Sequence, residues 1–248
     1  MRDTDTVAVQ ATATSFRIVE ELYDRDGSGV TELADALDVS KSAVHNHLST
    51  LCDLGYVKNV EGTYELTHQF LQIGFKTRER NPVYHAARSE IRMLARNTGA
   101  IANLVVPEDA EAVYLHRIGA RDHPVAVGDG VRLHAAAAGK AILASRSRER
   151  VDEYVSRYGL DRETDRTVTD PATLRAELRS IRDRNIAFDR GELDENWQCV
   201  ASPVVVDGDP VGAVSVSGPS DEMQGKRLEE DTAGLVSSAA KTIELELL

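Results

Sequence analysis

Residues 39–57 read VSKSAVHNHLSTLCDLGYV. Val44, Leu48 and Leu51 fall at i, i+4 and i+7, which makes one inward seam on an α-helix. Ser40 stands at the N-cap, and Gly55 stands where the helix should end. Ser42, Asn46 and Ser49 lie opposite the seam with His45 beside them, while Ser40 and Lys41 sit at the amino end. His47, about 60° from the seam, reads as a half-buried packing residue, and Cys52 as a small hydrophobe.

The flanks give this helix a setting. ATSFRIVEELYD, residues 13–24, reads as an amphipathic helix with Phe16, Val19, Leu22 and Tyr23 as its stripe. RDGSG breaks it. Thr31 is positioned to cap a short helix, ELADALD, with Leu33, Ala34 and Leu37 inside, and DVS is a tight connection. YVKNVEGTYEL reads as two short strands around a turn from Asn59 to Gly62. THQFLQIGFKTRER is helical again, with Phe70, Ile73 and Leu71 expected inside. Helix, short helix, turn, helix, hairpin is the order of a winged helix-turn-helix. In such a motif the amino end of the second helix meets base edges and phosphates. Asn46 suits adenine; Ser, His and Lys suit phosphates or bases. The candidate DNA-binding residues are Ser40, Lys41, Ser42, His45, Asn46, Ser49 and Lys58. A plain solvated face is the competing reading, and the short helix, turn and hairpin weigh against it.

The formal charge of the 248-residue chain is −12, from 21 Asp and 20 Glu against 23 Arg and only 6 Lys. An acid-rich, Lys-poor surface points to work in concentrated salt; an ordinary acidic bacterial protein is the alternative. Residues 1–80 hold 8 basic and 13 acidic side chains, a net of −5, although residues 39–60 alone are +1. Lys76, Arg78 and Arg80 add a nearby basic cluster. DNA binders normally carry a basic footprint. Counterion release contributes little at high salt, so base-edge and backbone-amide contacts would carry more of the affinity there. Two cysteines make no disulfide framework, which fits a reducing cytoplasm. No apolar run reaches the length of a membrane span, and MRDTDTVAVQ has no signal-peptide core. A cytoplasmic protein without membrane contact is expected.

Beyond Pro82 the pattern changes. PVYHAARSEIRMLARNTG is a helix; IANLVVP and AVYLHRIG are strands around an acidic turn; HPVAVGDG is a third short strand. LHAAAAGKAILAS, RERVDEYVSRYG and PATLRAELRSIRDR are helices. IAFD, QCVASPVVV and PVGAVSVSG are strands, the last two joined by a turn at the DP of DGDP, and the tail from Asp221 is helical. The fold class is α+β: a winged helix-turn-helix at residues 1–66, a linker helix at 67–80, and a domain with an antiparallel sheet at 81–248.

Three stretches resemble the IclR family of transcriptional regulators. TELADALDVSKSAVHNHLSTLCDLGYV is similar to its DNA-binding module. LHAAAAGKAILA is similar to its L-H-x-x-x-x-G-K-A-x-L-A signature. IAFDRGELDENWQCVASPVVVDGDPVGAVSVSGP is similar to the long signature that closes the ligand pocket. The resemblance spans nearly the whole chain. It implies a GAF/PAS-like effector-binding domain, dimers through the first domain with tetramers as a further step, and control of a catabolic operon by a small organic acid. His45 and Asn46 stand where the family usually has an aromatic residue and an Arg, and Ala137 and Ala138 where Thr or Gly often occurs.

The expected effector-binding residues are Ala137, Ala138, Asp189, Cys199, Ser215 and Ser217. The last four are assigned by resemblance. Small side chains at a helix start let a carboxylate reach free amides, although alanines also serve tight packing. Ser215 and Ser217 are two apart on a strand and share a face, either towards a ligand or towards solvent. Asp189 would accept a ligand hydroxyl, Cys199 would form a small wall, and Trp197 would shape the pocket or only pack. Cys199 with His134 as nucleophile and base has no orienting partner or oxyanion motif. His116, His123 and His134 match no metal-ligand spacing, and Lys140 reads as an ion-pair partner. A degenerate dimeriser would have lost the recognition-helix seam. No enzyme activity, cofactor or metal is expected; double-stranded operator DNA and an organic-acid effector are.

Overall fold

The computed structural model describes residues 7–119 and 122–248. Part of the amino-terminal stretch quoted above lies outside them. Two compact units divide at Arg78 and Glu79.

The first unit holds α1 (Gln10–Asp24), α2 (Val30–Leu37), α3 (Lys41–Asp53), the hairpin β1 (Val57–Val60) and β2 (Thr63–Leu66), and most of α4 (Gln69–Glu79). Its core joins Ile18 and Leu22 of α1 to Leu33, Ala34 and Leu37 of α2, Val44 and Leu48 of α3, and Val57. Each fully buried Leu or Ile contributes about 1.5–3 kcal/mol. Ser40 caps α3, its Oγ accepting the Ala43 N–H at 3.2 Å. Arg17 donates to the last carbonyl of α2 at Leu37, which secures the turn between α2 and α3. The hairpin turn places Glu61 and Gly62 at φ of 53° and 95°, the backbone of a type I′ turn.

Three expectations fail here. The core face of α1 is Ile18 and Leu22, while Phe16 and Tyr23 are 59% and 65% exposed. The helix carries two apolar stripes, and only one can meet α2 and α3. The cap of α2 is Gly29, not Thr31: the Glu32 carboxylate reaches back to the Gly29 N–H and the Ser28 hydroxyl. On α4, Leu71 and Ile73 are exposed, and Phe70 is half-buried against Tyr56. A lone helix has no second layer to bury against.

The second unit is a six-stranded antiparallel sheet in the order β5-β4-β3-β8-β7-β6. These strands are β3 (Ile101–Glu108), β4 (Glu111–Ile118), β5 (Gly130–Arg132), β6 (Ala187–Arg190), β7 (Trp197–Val206) and β8 (Asp209–Pro219). Helices α5 (Pro82–Thr98) and α9 (Ala233–Leu247) cover one face. The other is covered by α6 (Ala137–Ala144), α7 (Arg148–Tyr158) and α8 (Pro171–Arg184). HPVAVGDG is a loop, not a strand; Asp129 accepts the Ala126 N–H and folds it back, and the strand begins at Gly130. The β7–β8 turn is Asp207–Gly208, both at positive φ, and Asp209-Pro210 already belongs to β8. The tail becomes helical only at Gly225 and passes through a π-helical segment, Arg227–Thr232, into α9.

Candidate DNA-binding and effector-binding sites

The recognition helix α3 presents Lys41, Ser42, His45, Asn46 and Ser49 to solvent, with Ser40 at its amino end. His47 turns inward, its Nδ1 at 2.8 Å from the Ser15 hydroxyl on α1. Thr50 donates to the Asn46 main-chain carbonyl at 3.0 Å, and the Asn46 side chain is exposed on the outer face of the helix. Lys58 is exposed, but it pairs with Glu65 across the hairpin at 2.7 Å. A phosphate contact from Lys58 therefore competes with that carboxylate. Burial, with Asp53 adding, raises the Cys52 thiol above its ordinary range, consistent with packing.

In the second unit the effector candidates share the sheet face below α6. Asp189 pairs with Cys199, and Cys199 with Ser217. Ser215 lies one step along, paired with Ala201 on one side and Asn103 on the other. Ala137 and Ala138 open α6 and are fully buried. Their N-cap, Ala136, is extended and makes no side-chain cap bond, so no side chain competes for the first amides. A Cβ on Gly139 would collide with the Leu133 carbonyl; only glycine allows this helix start so close to the preceding backbone.

Asp189 is 5% exposed and accepts the Glu192 N–H at 2.6 Å. Burial pushes it up to about 6, against the Glu192 amide and Lys140, which favour the anion. A ligand hydroxyl at Asp189 shares it with this turn. Cys199 is pushed up to about 12 by burial, with Asp189 adding, so it stays a thiol near neutral pH and is no nucleophile. His134 meets the Tyr154 hydroxyl at 2.9 Å and the Asp161 carbonyl at 2.8 Å; both ring nitrogens are engaged away from Cys199. His116 packs edge-on against Tyr84 of α5, on the opposite face from His123 and His134. Among the described residues no group of three or more His, Cys, Asp or Glu is arranged to hold a metal. Lys140 is fully buried between Glu177 and Glu192.

Sequence reasoning missed part of this face. Asn103, fully buried in the apolar IANLVVP strand, donates to the hydroxyls of Ser215 and Ser217 at 3.3 and 3.2 Å. Its Oδ1 accepts from Arg117 Nε at 2.8 Å. His123 Nε2 lies 3.0 Å from the Ser217 hydroxyl. Trp197 packs on the His123 ring with centroids 5.0 Å apart. An amide in the middle of a buried strand is the one signal that pointed here.

A winged helix-turn-helix with an open polar recognition face, joined to a domain with buried polar groups under a helix start, defines the class of ligand-responsive transcriptional regulators. The profile described as IclR helix-turn-helix domain matches residues 15–61. That described as Bacterial transcriptional regulator IclR C-terminal matches residues 75–245. The chain belongs to the IclR family and is a transcriptional regulator. It is 30% identical to the regulator KdgR of Escherichia coli over 233 residues, 91% of this chain and 88% of that one. It is 28% identical to the probable regulator ArcR of Halobacterium salinarum over 241 residues, 94% of this chain and 92% of that one. The crystal structure of Thermotoga maritima IclR superposes with a TM-score of 0.82 at 25% identity, covering 96% of this chain and 98% of that chain. An IclR homologue from Microbacterium hydrocarbonoxydans, solved in complex with 4-hydroxybenzoate, shares the fold at a TM-score of 0.82 and 22% identity, with coverage of 96% and 98%.

Proposed function

We propose that this regulator binds double-stranded operator DNA in a sequence-specific way, as a homodimer, and that a small organic acid in the second unit sets its DNA affinity. The observation that carries the effector half is the set Asp189, Ser215 and Ser217, all 5% exposed or less, beside buried Asn103 on a sheet face whose remaining buried residues are mainly apolar. Polar side chains this deep need hydrogen-bond partners, and a bound ligand can supply those that the protein leaves open. The DNA half rests on Lys41, Ser42, His45, Asn46 and Ser49 standing clear of all packing. Phe16, Tyr23, Leu71, Ile73 and Phe75 are exposed in the same unit and offer apolar area for pairing of two copies. We read the protein as non-enzymatic, since the only buried cysteine stays protonated and His134 is fully engaged. No helix among the described residues is long and apolar enough to cross a membrane, and an operator-binding role places the protein in the cytoplasm. The target is a catabolic or metabolic operon.

The test is calorimetry of the full chain against short keto, hydroxy and aromatic acids, with and without operator fragments selected at high salt. Linkage requires that operator shift acid affinity by the same factor that acid shifts operator affinity. An acid that binds with equal affinity in both states cannot be a switch, and that result refutes the mechanism.

A further inference from the structure

We propose that Arg117 is the carboxylate anchor of the effector site, and that Asn103, Ser217 and the His123–Trp197 ring pair shape it for an acid with a flat body. The proposal rests on the organic-acid reading above and assigns the orientation of the acid within it. The acid group faces Arg117 on β4, not the first amides of α6.

Arg117 carries an unmet donor. Arg117 Nε is held by Asn103 Oδ1 at 2.8 Å, which fixes the guanidinium plane. Its Nη2 is buried and has no hydrogen-bond partner among the described residues. No ion pair reaches Arg117 there either. A buried guanidinium nitrogen without an acceptor costs free energy unless an anion or water meets it, and a fork of this shape matches a carboxylate. Asp129 is the carboxylate whose charge reaches Arg117, and it forms no ion pair with it among the described residues; burial dominates and works against the cation. Asn103 Nδ2 is spent on Ser215 and Ser217. His123 is pushed down to about 4 by burial and by Arg117, against the Val125 carbonyl, so the ring is neutral near pH 7. Arg117 is then the cation of the cluster.

The surroundings select the rest of the ligand. Tyr114, His123 and Trp197 form a chain of rings with centroids 5.7 and 5.0 Å apart. The guanidinium lies 5.4 Å from the Tyr114 centroid. Rings at this spacing pack on one another, so a flat apolar body stacks against their outer faces and not between them. A groove of about 390 Å³ opens at the α5 end of the sheet, lined by Ala95, Arg96, Ile101, Ile118 and Met223 among others; it touches the cluster through Ser217 alone, and neither Arg117 nor the rings line it.

The experiment compares 4-hydroxybenzoate, 4-hydroxybenzamide and pyruvate by calorimetry on the full chain and on Arg117→Gln and Arg117→Lys. The wild type is expected to favour the benzoate over both others. In Arg117→Gln the benzoate should weaken about tenfold or more, as for a lost charge-assisted bond, and the preference for acid over amide should vanish. Arg117→Lys should keep part of it. A second readout needs no variant: 4-hydroxybenzoate should protect Arg117 from phenylglyoxal, located by mass spectrometry. An unchanged acid preference in Arg117→Gln, or modification unaffected by saturating benzoate, overturns the anchor while the organic-acid reading survives. Tighter binding of pyruvate overturns the flat-body assignment. Failure of all acids to bind the wild type overturns both readings together.

Discussion

Lys140→Met removes a buried ammonium and keeps the length of its stem. The Lys140 side chain is fully buried, and its Nζ lies 2.6 Å from Glu177 and 2.5 Å from Glu192. Burial opposes the charge, but Glu192 and then Glu177 hold Lys140 above its ordinary value. The Glu177 side chain is 30% exposed and can rehydrate; that of Glu192 is 10% exposed and cannot. Glu192 Oε2 already has no hydrogen-bond partner among the described residues. Leaving one buried charge behind costs about 3–5 kcal/mol. For a unit of this size that lowers the melting temperature by roughly 6–20 °C. The pH dependence follows from Glu192. Burial raises it to about 7, with Lys140 pulling the other way, so removing Lys140 raises it further. A carboxyl raised in the folded state favours folding below its unfolded value and loses that contribution as pH rises through the folded one. The variant is therefore hurt most at pH 8 and recovers towards pH 5, where Glu192 takes a proton. Urea unfolding at both pH values checks this, with Glu192→Gln and the double variant closing a cycle. The double variant should recover much of the loss at pH 8. A loss below about 1 kcal/mol at pH 8, or the same loss at both pH values, refutes the reasoning.

Other expected outcomes concern DNA and salt. Asn46→Ala should cost about 1–3 kcal/mol in operator binding and relax one base position, read by fluorescence anisotropy across single-base operator variants; equal loss on every variant would mean that Asn46 contacts the backbone. Lys41→Ala should weaken all sequences alike and reduce the slope of log affinity against log salt by about one. A changed base preference in that variant would make Lys41 a base reader. With a net charge of −12, the chain should unfold at higher temperature in molar KCl than in dilute buffer, as self-repulsion is screened; equal melting in both ends the high-salt reading.

Much of the first unit was readable because its signals are local. Ser40 caps α3 three residues from the N–H that it accepts, and Val44 and Leu48 set a seam within two turns. Such features need no knowledge of distant chain. The α1 stripe was misread because Phe16, Val19 and Tyr23 are as periodic as Ile18 and Leu22. Periodicity says that a face is apolar; the position of α2 and α3 says which face is buried.

The effector face divides in the same way. The shared face of Ser215 and Ser217 follows from the two-residue period of one strand. Arg117 does not follow from that period. Counting by twos along β4 from Ala112 and Tyr114 sends His116 inward and Arg117 to the α5 side. The β3–β4 register shifts between Leu104 and Val105, so that Val105 meets Tyr114 while Leu104 meets His116. Leu115 is the extra residue of a bulge. Beyond it the faces exchange: His116 packs on Tyr84, and Arg117 reaches Asn103. One inserted residue flips every later side chain. The bulge is a property of two paired strands, and the contact that depends on it joins Arg117 to Asn103, whose amide is itself tied to Ser217 on β8, 114 residues away. By itself the sequence determined the elements, their order and the recognition helix, because caps, seams and turns act over a few residues. Only the tertiary structure decided that an arginine faces the buried serines, because register is set by what the neighbouring strand and the packed helices accept.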